Sequence, residues 1–539
     1  MSTANPVEVI WAPPGPGLWE RDAAHQERPF SALWLEMASG AFAAGTSDAF
    51  ARFGIPFARF ETANLHGWFF GTLTPVADEE FPDRIAAAEL ALTTRPWRAI
   101  ADEWSSSARA VFVARNRAIQ AVDPAGLSDE ALAAHLAGAL GLLRDAATRH
   151  FLDAVAHWVS VGLLLMEAGR LAGWPPERTI RALAGASPAS VAPAAAVGRI
   201  RDAIAADPEA ARISSSGGDP EAALAALRGS SQPVRDAIDA YLDEHGWQVF
   251  TGFDFTHQTM AELPGLFLAT IRAGAMPPPR DLGLLAELRA AAGPDDRAAL
   301  ETIIDDAILG YGLRDDDSGP TTQQPIGLVR RGLLEAGRRL AARGEIAEVD
   351  DIFDASGGEL AALLTGQGGR PTQAELAARG SLRRTPAPAP PRRLGEDAPP
   401  PDGELPPAME RIMGALFAAM SLEDTADEVS PPSRELRGVG ASAGVYEGRA
   451  RLIRGEGDFE RLEPGDILVA SMTTPAYNVV LPLLGAVVTD RGGILSHPAI
   501  VAREYGIPAV VGAGDATAQI ADGARIRVDG LAGLVTLLS

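Results

Sequence analysis

Residues 492–512 read GGILSHPAIVAREYGIPAVVG. A glycine pair leads to Ser496 and His497, a proline follows the histidine, and Gly506 ends the run. Proline just inside and glycine just past a segment mark the two ends of a short helix. The stretch therefore predicts a helix that opens at His497 and closes at Gly506. Gly492 and Gly493 put no Cβ in the way of a bulky anion. Helix N-termini carry unpaired N–H donors at the positive end of the dipole, so Ser496 and His497 stand where an anion is stabilised. A neutral imidazole there can accept a phosphoryl group near pH 7. It can equally do no more than cap the helix, and the residues alone leave both readings open. Arg503, six positions on, joins such a site if the fold brings its guanidinium round.

Working outward, VYEGRARLI, DILVAS, GAVVTD, PAVVG and ARIRVDG are short β-branched runs between Gly, Pro and Asp turns. They predict a compact α/β module over 437–539. Residues 366–436 include the proline-rich TPAPAPPRRLGEDAPPPDGELPP and one helix, AMERIMGALFAAMSL, which predicts a linker that builds no core and acts as a tether. Residues 111–365 are helical in pattern. SDEALAAHLAGALGLLRDAATRHF begins with Ser128 as N-cap and acids in the first turn, and LVRRGLLEAGRRLAARG closes at Gly344. Residues 1–110 concentrate aromatics between Phe30 and Phe70, either as core or as the wall of an apolar pocket.

Composition narrows the chemistry. The 539 residues hold no cysteine and carry a net charge of −24. That excludes disulfides and thiol catalysis, and argues against nucleic acid and anionic membrane as partners. No signal peptide or membrane-spanning run is read, so a cytoplasmic protein is expected. All 47 basic residues are arginine, so no P-loop or Schiff-base lysine exists. No metal-ligand spacing accompanies the eight histidines.

TDRGGILSHPAIVAREYGIPAVVG resembles the phosphohistidine signature of the phosphoenolpyruvate-utilising enzymes, the swivelling domain shared by phosphoenolpyruvate synthase, pyruvate phosphate dikinase and rifampin phosphotransferase. The resemblance continues through VGASAGVYEGRARLI, LEPGDILVASMTTPAY and DATAQIADGARIRVDGLAG, covering 437–539. It implies that His497 is the phosphorylated histidine, with Gly492, Gly493, Ser496 and Arg503 handling phosphate. Leu495 and Pro498 depart from the dikinase form of the motif, where threonine and alanine stand. More weakly, residues 327–360 resemble the end of the central domain of rifampin phosphotransferase. Trp247 stands where those proteins carry an arginine.

The implied architecture is multidomain α plus α/β. A mainly helical acceptor-binding domain is joined by the proline-rich linker to a small swivelling β/β/α domain, with no ATP-grasp domain and no TIM barrel. The division resembles the histidine-bearing subunit of phenylphosphate synthase. It implies a phosphotransferase component that binds no cofactor itself. A separate ATP-grasp subunit would use ATP and Mg, and a hydroxyl of a small aromatic or apolar molecule would be the acceptor. The alternative is an ATP-independent lyase or dehydratase with His497 as acid–base catalyst, or a non-catalytic binding subunit. Candidate acceptor contacts or general bases are His25, His66, Asp254 and His257, which lie in irregular, aromatic-rich stretches. His150 and His157 share a helix face and read as core or interface.

Overall fold

The computed structural model describes residues 11–538 apart from 23–24, 27, 250–251, 274–282, 385–389, 397–403, 424–432, 455, 474–476 and 478–479. Its organising element is α2 (Asp129–Ala172), a 44-residue helix. The Ser128 hydroxyl accepts from the Ala131 N–H at 3.2 Å, and Gly173, with a φ of 63°, ends the helix in the left-handed region. This helix is apolar enough along part of its length to cross a membrane, but most of that stretch is buried inside the protein. It is a core helix.

Around it pack α1 (Ala32–Phe53), α3 (Arg297–Ser318), α4 (Gln324–Ala342) and α5 (Pro407–Met420). A Cβ on Gly162 of α2 would lie 1.9 Å from the Ala415 carbonyl oxygen of α5. Glycine is what lets these two backbones touch. The ring of Phe42 packs against Phe60, Phe69 and Phe151. Those aromatics of the first hundred residues therefore pack on one another and on α2.

The expected tether is only partly a tether. Residues 373–384 are helical, and α5 buries Met409, Ile412 and Leu416 against the body. Strand β4 (Arg393–Leu394) pairs with β1 (Trp19–Arg21), which extends the hairpin of β2 (Phe57–Leu65) and β3 (Trp68–Pro75) to a sheet ordered β2-β3-β1-β4. Burial of apolar side chains overrode the extended bias of the neighbouring prolines. The prolines at 386 and 388, and those at 399–401, lie outside the described residues.

The C-terminal module is built on an eight-stranded sheet among the described residues, ordered β5-β12-β11-β7-β8-β9-β10-β6. Its strands are β5 (Glu435–Arg437), β6 (Val439–Ser442), β7 (Val445–Ile453), β8 (Ile467–Ala470), β9 (Ala486–Thr489), β10 (Ala509–Val511), β11 (Arg525–Asp529) and β12 (Leu534–Leu537). Strands β7 to β10 run parallel, and their continuous apolar character suits a sheet centre covered on both faces. Helix α6 (His497–Tyr505) lies between β9 and β10 and ends at Gly506 with a φ of 66°.

Two apolar clusters run unbroken from module to body. One joins Phe459, Leu481 and Val501 to Ile200, Tyr241 and Phe267. The other joins Ile494, Leu495 and Ile500 to Leu164 and Tyr311. The histidine face of the module is thus docked on the helical body.

Candidate functional site

His497 is the first residue of α6 and is 8 % exposed. Its Nδ1 lies 3.0 Å from the hydroxyl of Thr473, itself buried in the loop after β8. Burial, and then the positive charge of Arg314, hold the His497 pKa well below 6.5. The ring is therefore neutral at pH 7. With its proton on Nδ1 and the Thr473 hydroxyl accepting it, Nε2 carries the lone pair.

The loop before the helix has a different physical reason from the one its sequence suggests. Gly492 adopts a φ of 104°, which L side chains avoid. A Cβ on Gly493 would lie 2.1 Å from the Leu422 carbonyl oxygen, because the chain just past α5 presses on the loop. The Gly493 N–H donates to the Glu423 carbonyl at 2.8 Å, and the Leu495 N–H to the Leu422 carbonyl at 2.9 Å. The space beside the glycine pair is thus taken by backbone rather than left for an anion. The Ser496 hydroxyl donates to the Gly493 carbonyl at 2.6 Å and shapes the loop. Arg503 is buried and donates to the carbonyls of Ala441 at 3.0 Å and Ile494 at 2.7 Å. In this docked arrangement its guanidinium clamps the module's own backbone.

The charge facing His497 comes from the body. Arg314, near the end of α3, donates to Glu423 at 2.9 Å. Trp158 Nε1 of α2 donates to the same carboxylate at 3.2 Å. The three acids after Arg314 fan out in separate directions. Asp315 accepts from Ser187 and Ser190, Asp316 from Trp104 and Arg109, and Asp317 lies 3.0 Å from His150 Nδ1. Asp315 also lies 3.8 Å from Arg314 itself.

Of the four candidate acceptor contacts, the structure brings one to this group. His25 Nδ1 lies 3.0 and 3.2 Å from the two oxygens of Asp22. Its ring stands edge-on to Phe253, 5.3 Å between centroids. Glu423 and Arg314 both act on its charge. Half of its side chain is accessible although protein surrounds it, as expected for the wall of a cleft rather than a core.

The other three stand elsewhere. His66 is exposed in the β2–β3 turn at a φ of 55°, and its ring meets Trp11. Asp254 is buried and accepts from the backbone N–H groups of Ser31 and Thr256, so its lone pairs hold the start of α1. His257 packs over Gly252 in the loop that carries Phe253. His157 is buried in α2 with its Nδ1 3.1 Å from the Gly310 carbonyl, in keeping with a core role.

Sequence reasoning missed Asp22, Arg314, Glu423 and Thr473. Only the three-residue spacing of Asp22 and His25 was a visible signal. Among the described residues no group of three or more His, Cys, Asp or Glu could hold a metal ion. A cavity of about 300 Å³ lined by Arg95, Trp97, Asp306 and Arg411 shares no residue with the His497 group.

Comparison with known proteins follows the same division. Residues 462–533 match the mobile domain of the PEP-utilising enzymes. Residues 130–315 match the fourth domain of rifampicin phosphotransferase. The helical match takes in Trp247 and Arg314, and residues 327–360 follow it in the chain. The chain is 32 % identical over 340 residues to a rifampicin phosphotransferase of Streptomyces sviceus, covering 59 % of this chain and 36 % of that protein. It is 30 % identical over 314 residues to an uncharacterized phosphotransferase of Bacillus subtilis, covering 56 % of this chain and 36 % of that one. A phosphoenolpyruvate synthase of Aeropyrum pernix is 45 % identical over 117 residues, 20 % of this chain and 14 % of the synthase. The chain thus spans little more than a third of the first two relatives. The chain thus carries a segment similar to the mobile domain of the PEP-utilising enzymes and a helical segment similar to the fourth domain of rifampicin phosphotransferase.

Proposed function

We propose that this chain relays a phosphoryl group through Nε2 of His497 to a hydroxyl of a small aromatic or apolar acceptor. The acceptor lies in the cleft between module and body, and a separate ATP-grasp-type protein supplies the phosphoryl group from ATP with Mg. The observation that carries the reading is a buried imidazole kept neutral, with Nδ1 turned to Thr473 and a guanidinium facing it. Neutrality makes Nε2 a nucleophile, and Arg314 offers charge to the anion that the ring would carry.

In the first half-reaction the Nε2 lone pair attacks the donor's phosphorus and the donor's P–O bond breaks. In the second, the acceptor oxygen attacks the phosphorus and the P–N bond electrons return to the ring. Phe253 beside His25 and Trp158 beside Glu423 bring aromatic rings to this group, which supports an apolar acceptor. The absence of lysine from all 539 residues supports a donor site outside these residues, since nucleotide β/γ-phosphates are ordinarily met by an ammonium group. A carrier serving two sites must also leave this docked position, a motion of the gating kind.

Incubation with ATP, Mg and a candidate ATP-grasp partner, followed by mass spectrometry, tests the relay. Acid-labile phosphate on His497 that chases into product is the expected result. Turnover without label at any time would instead favour acid–base chemistry on the same fold.

A further inference from the structure

Attack by a hydroxyl on a phosphohistidine requires that the hydroxyl proton go somewhere. The leaving nitrogen takes back only the P–N electron pair, and Arg314 is a cation that cannot accept. Glu423 is occupied on both oxygens, by Trp158 at 3.2 Å and Arg314 at 2.9 Å. His25 is different. Its Nδ1 is held by both oxygens of Asp22, and its backbone N–H donates to the same carboxylate at 3.0 Å. The edge-on ring of Phe253 limits its rotation. With the Nδ1 proton donated to Asp22, the lone pair is on Nε2 of a half-exposed side chain, and the carbonyl of the next residue, Gln26, accepts from Arg491 of the module at 3.0 Å.

We propose that His25 is the general base that takes the acceptor's hydroxyl proton on Nε2, and that Asp22 is the residue that positions it. This rests on the relay reading above. As the acceptor oxygen bonds to phosphorus, its proton passes to His25 Nε2, the P–N bond breaks, and its electron pair returns to His497 Nε2. The products are a phosphate ester, neutral His497 and a His25 imidazolium beside the Asp22 carboxylate. The imidazolium later gives its proton to solvent.

The electrostatics of the two histidines support this division of labour. The charge of the same Arg314 pulls both pKa values down. Burial and Arg314 keep His497 neutral. At His25, burial and Arg314 oppose the charge, yet Asp22 and Glu423 outweigh them and raise the pKa above 6.5. Two like groups with pKa values pushed apart in one site are the usual sign of a nucleophile or acid distinguished from a base.

The test separates the half-reactions. Full-length protein is charged at His497 with potassium phosphoramidate, and the charging is confirmed by mass spectrometry. Loss of the phosphoryl group is then followed in single turnover to phenol, to rifampicin and to water. His25→Gln should charge as wild type does and keep its melting temperature, yet transfer about 100-fold or more slowly to the acceptor that wild type uses fastest. Asp22→Asn should transfer at an intermediate rate. Because the base must be unprotonated, transfer rises with pH through the His25 pKa, and removing the Asp22 charge should move that rise to lower pH. Equal rates for wild type and His25→Gln with all three acceptors overturn the assignment of His25. An unshifted pH profile in Asp22→Asn overturns that of Asp22. Wild-type protein that cannot be charged at His497 overturns the relay itself, a result distinct from either.

Discussion

The C-terminal module and the helical body meet at one site but build their halves in opposite ways. The module's half comes almost entirely from one contiguous stretch, the loop and helix of 492–506, with Thr473 added from the loop after β8. The body's half is collected from Asp22 and His25, Trp158, Arg314 and Glu423, residues some four hundred positions apart. Their chemistry differs as well. The module surrounds its histidine with apolar side chains and backbone, whereas the body contributes paired charges. A carrier must keep its reactive group in one geometry wherever it goes, and a short, locally folded loop achieves that. A receiving site needs groups aimed from several sides, which long-range packing supplies.

The largest effect should come from the module's side. His497→Ala removes the covalent intermediate, so no excess of acceptor restores activity. No acid-labile phosphate should form with a competent donor. Losing a buried side chain and its hydrogen bond to Thr473 should cost about 1–3 kcal/mol, and calorimetry should show a melting temperature within several degrees of wild type.

The matching change on the body's side should be weaker. Arg314→Met takes away the charge facing His497 and leaves Glu423 without its 2.9 Å partner. Single-turnover transfer should fall on the order of 100-fold, as for loss of one preorganised charge in a closed site. The His497 pKa should rise, because one of the two influences that lower it is gone. A variant that transfers normally would mean that the body presents the acceptor without stabilising the phosphoryl charge.

A pair of glycine substitutions sharpens the comparison further. Gly162→Ala places a methyl 1.9 Å from the Ala415 carbonyl oxygen inside the body, and Gly493→Ala places one 2.1 Å from the Leu422 carbonyl oxygen between module and body. Each forces backbone to shift, at a cost on the order of 1–3 kcal/mol. The first should lower the melting temperature of the whole body. The second should leave that transition in place and speed proteolytic release of the module. Identical melting curves for the two variants would show that module and body unfold as one unit.

The smallest expected effect is on pH. His497 docked has a pKa well below 6.5, whereas a solvated histidine lies near that value. Its contribution to docking is therefore present above about pH 6.5 and lost as the pH falls below it, where the undocked form binds the proton. Proteolytic release of the module should quicken from pH 8 to pH 5.5. His497→Ala should show a flatter dependence.

The sequence by itself determined the elements that are specified locally. Ser128 and Gly173 mark the ends of α2, and His497 and Gly506 those of α6, because caps and glycine conformations depend on neighbours in the chain. The signature around His497 was legible for the same reason. Tertiary structure alone decided the rest. Arg503, expected beside the phosphate, is drawn to two backbone carbonyls that would otherwise be buried with fewer partners. Asp254, a candidate base, is committed to the N–H groups of Ser31 and Thr256. Arg314 acts on His497 and pairs with Glu423 while its neighbours Asp316 and Asp317 meet other partners, because successive residues on a helix point about 100° apart. The proline-rich segment holds α5 against α2 because apolar burial at Met409, Ile412 and Leu416 outweighs the conformational bias of its neighbours. Which charged group meets which partner depends on how distant segments pack, and no local pattern in the chain encodes it.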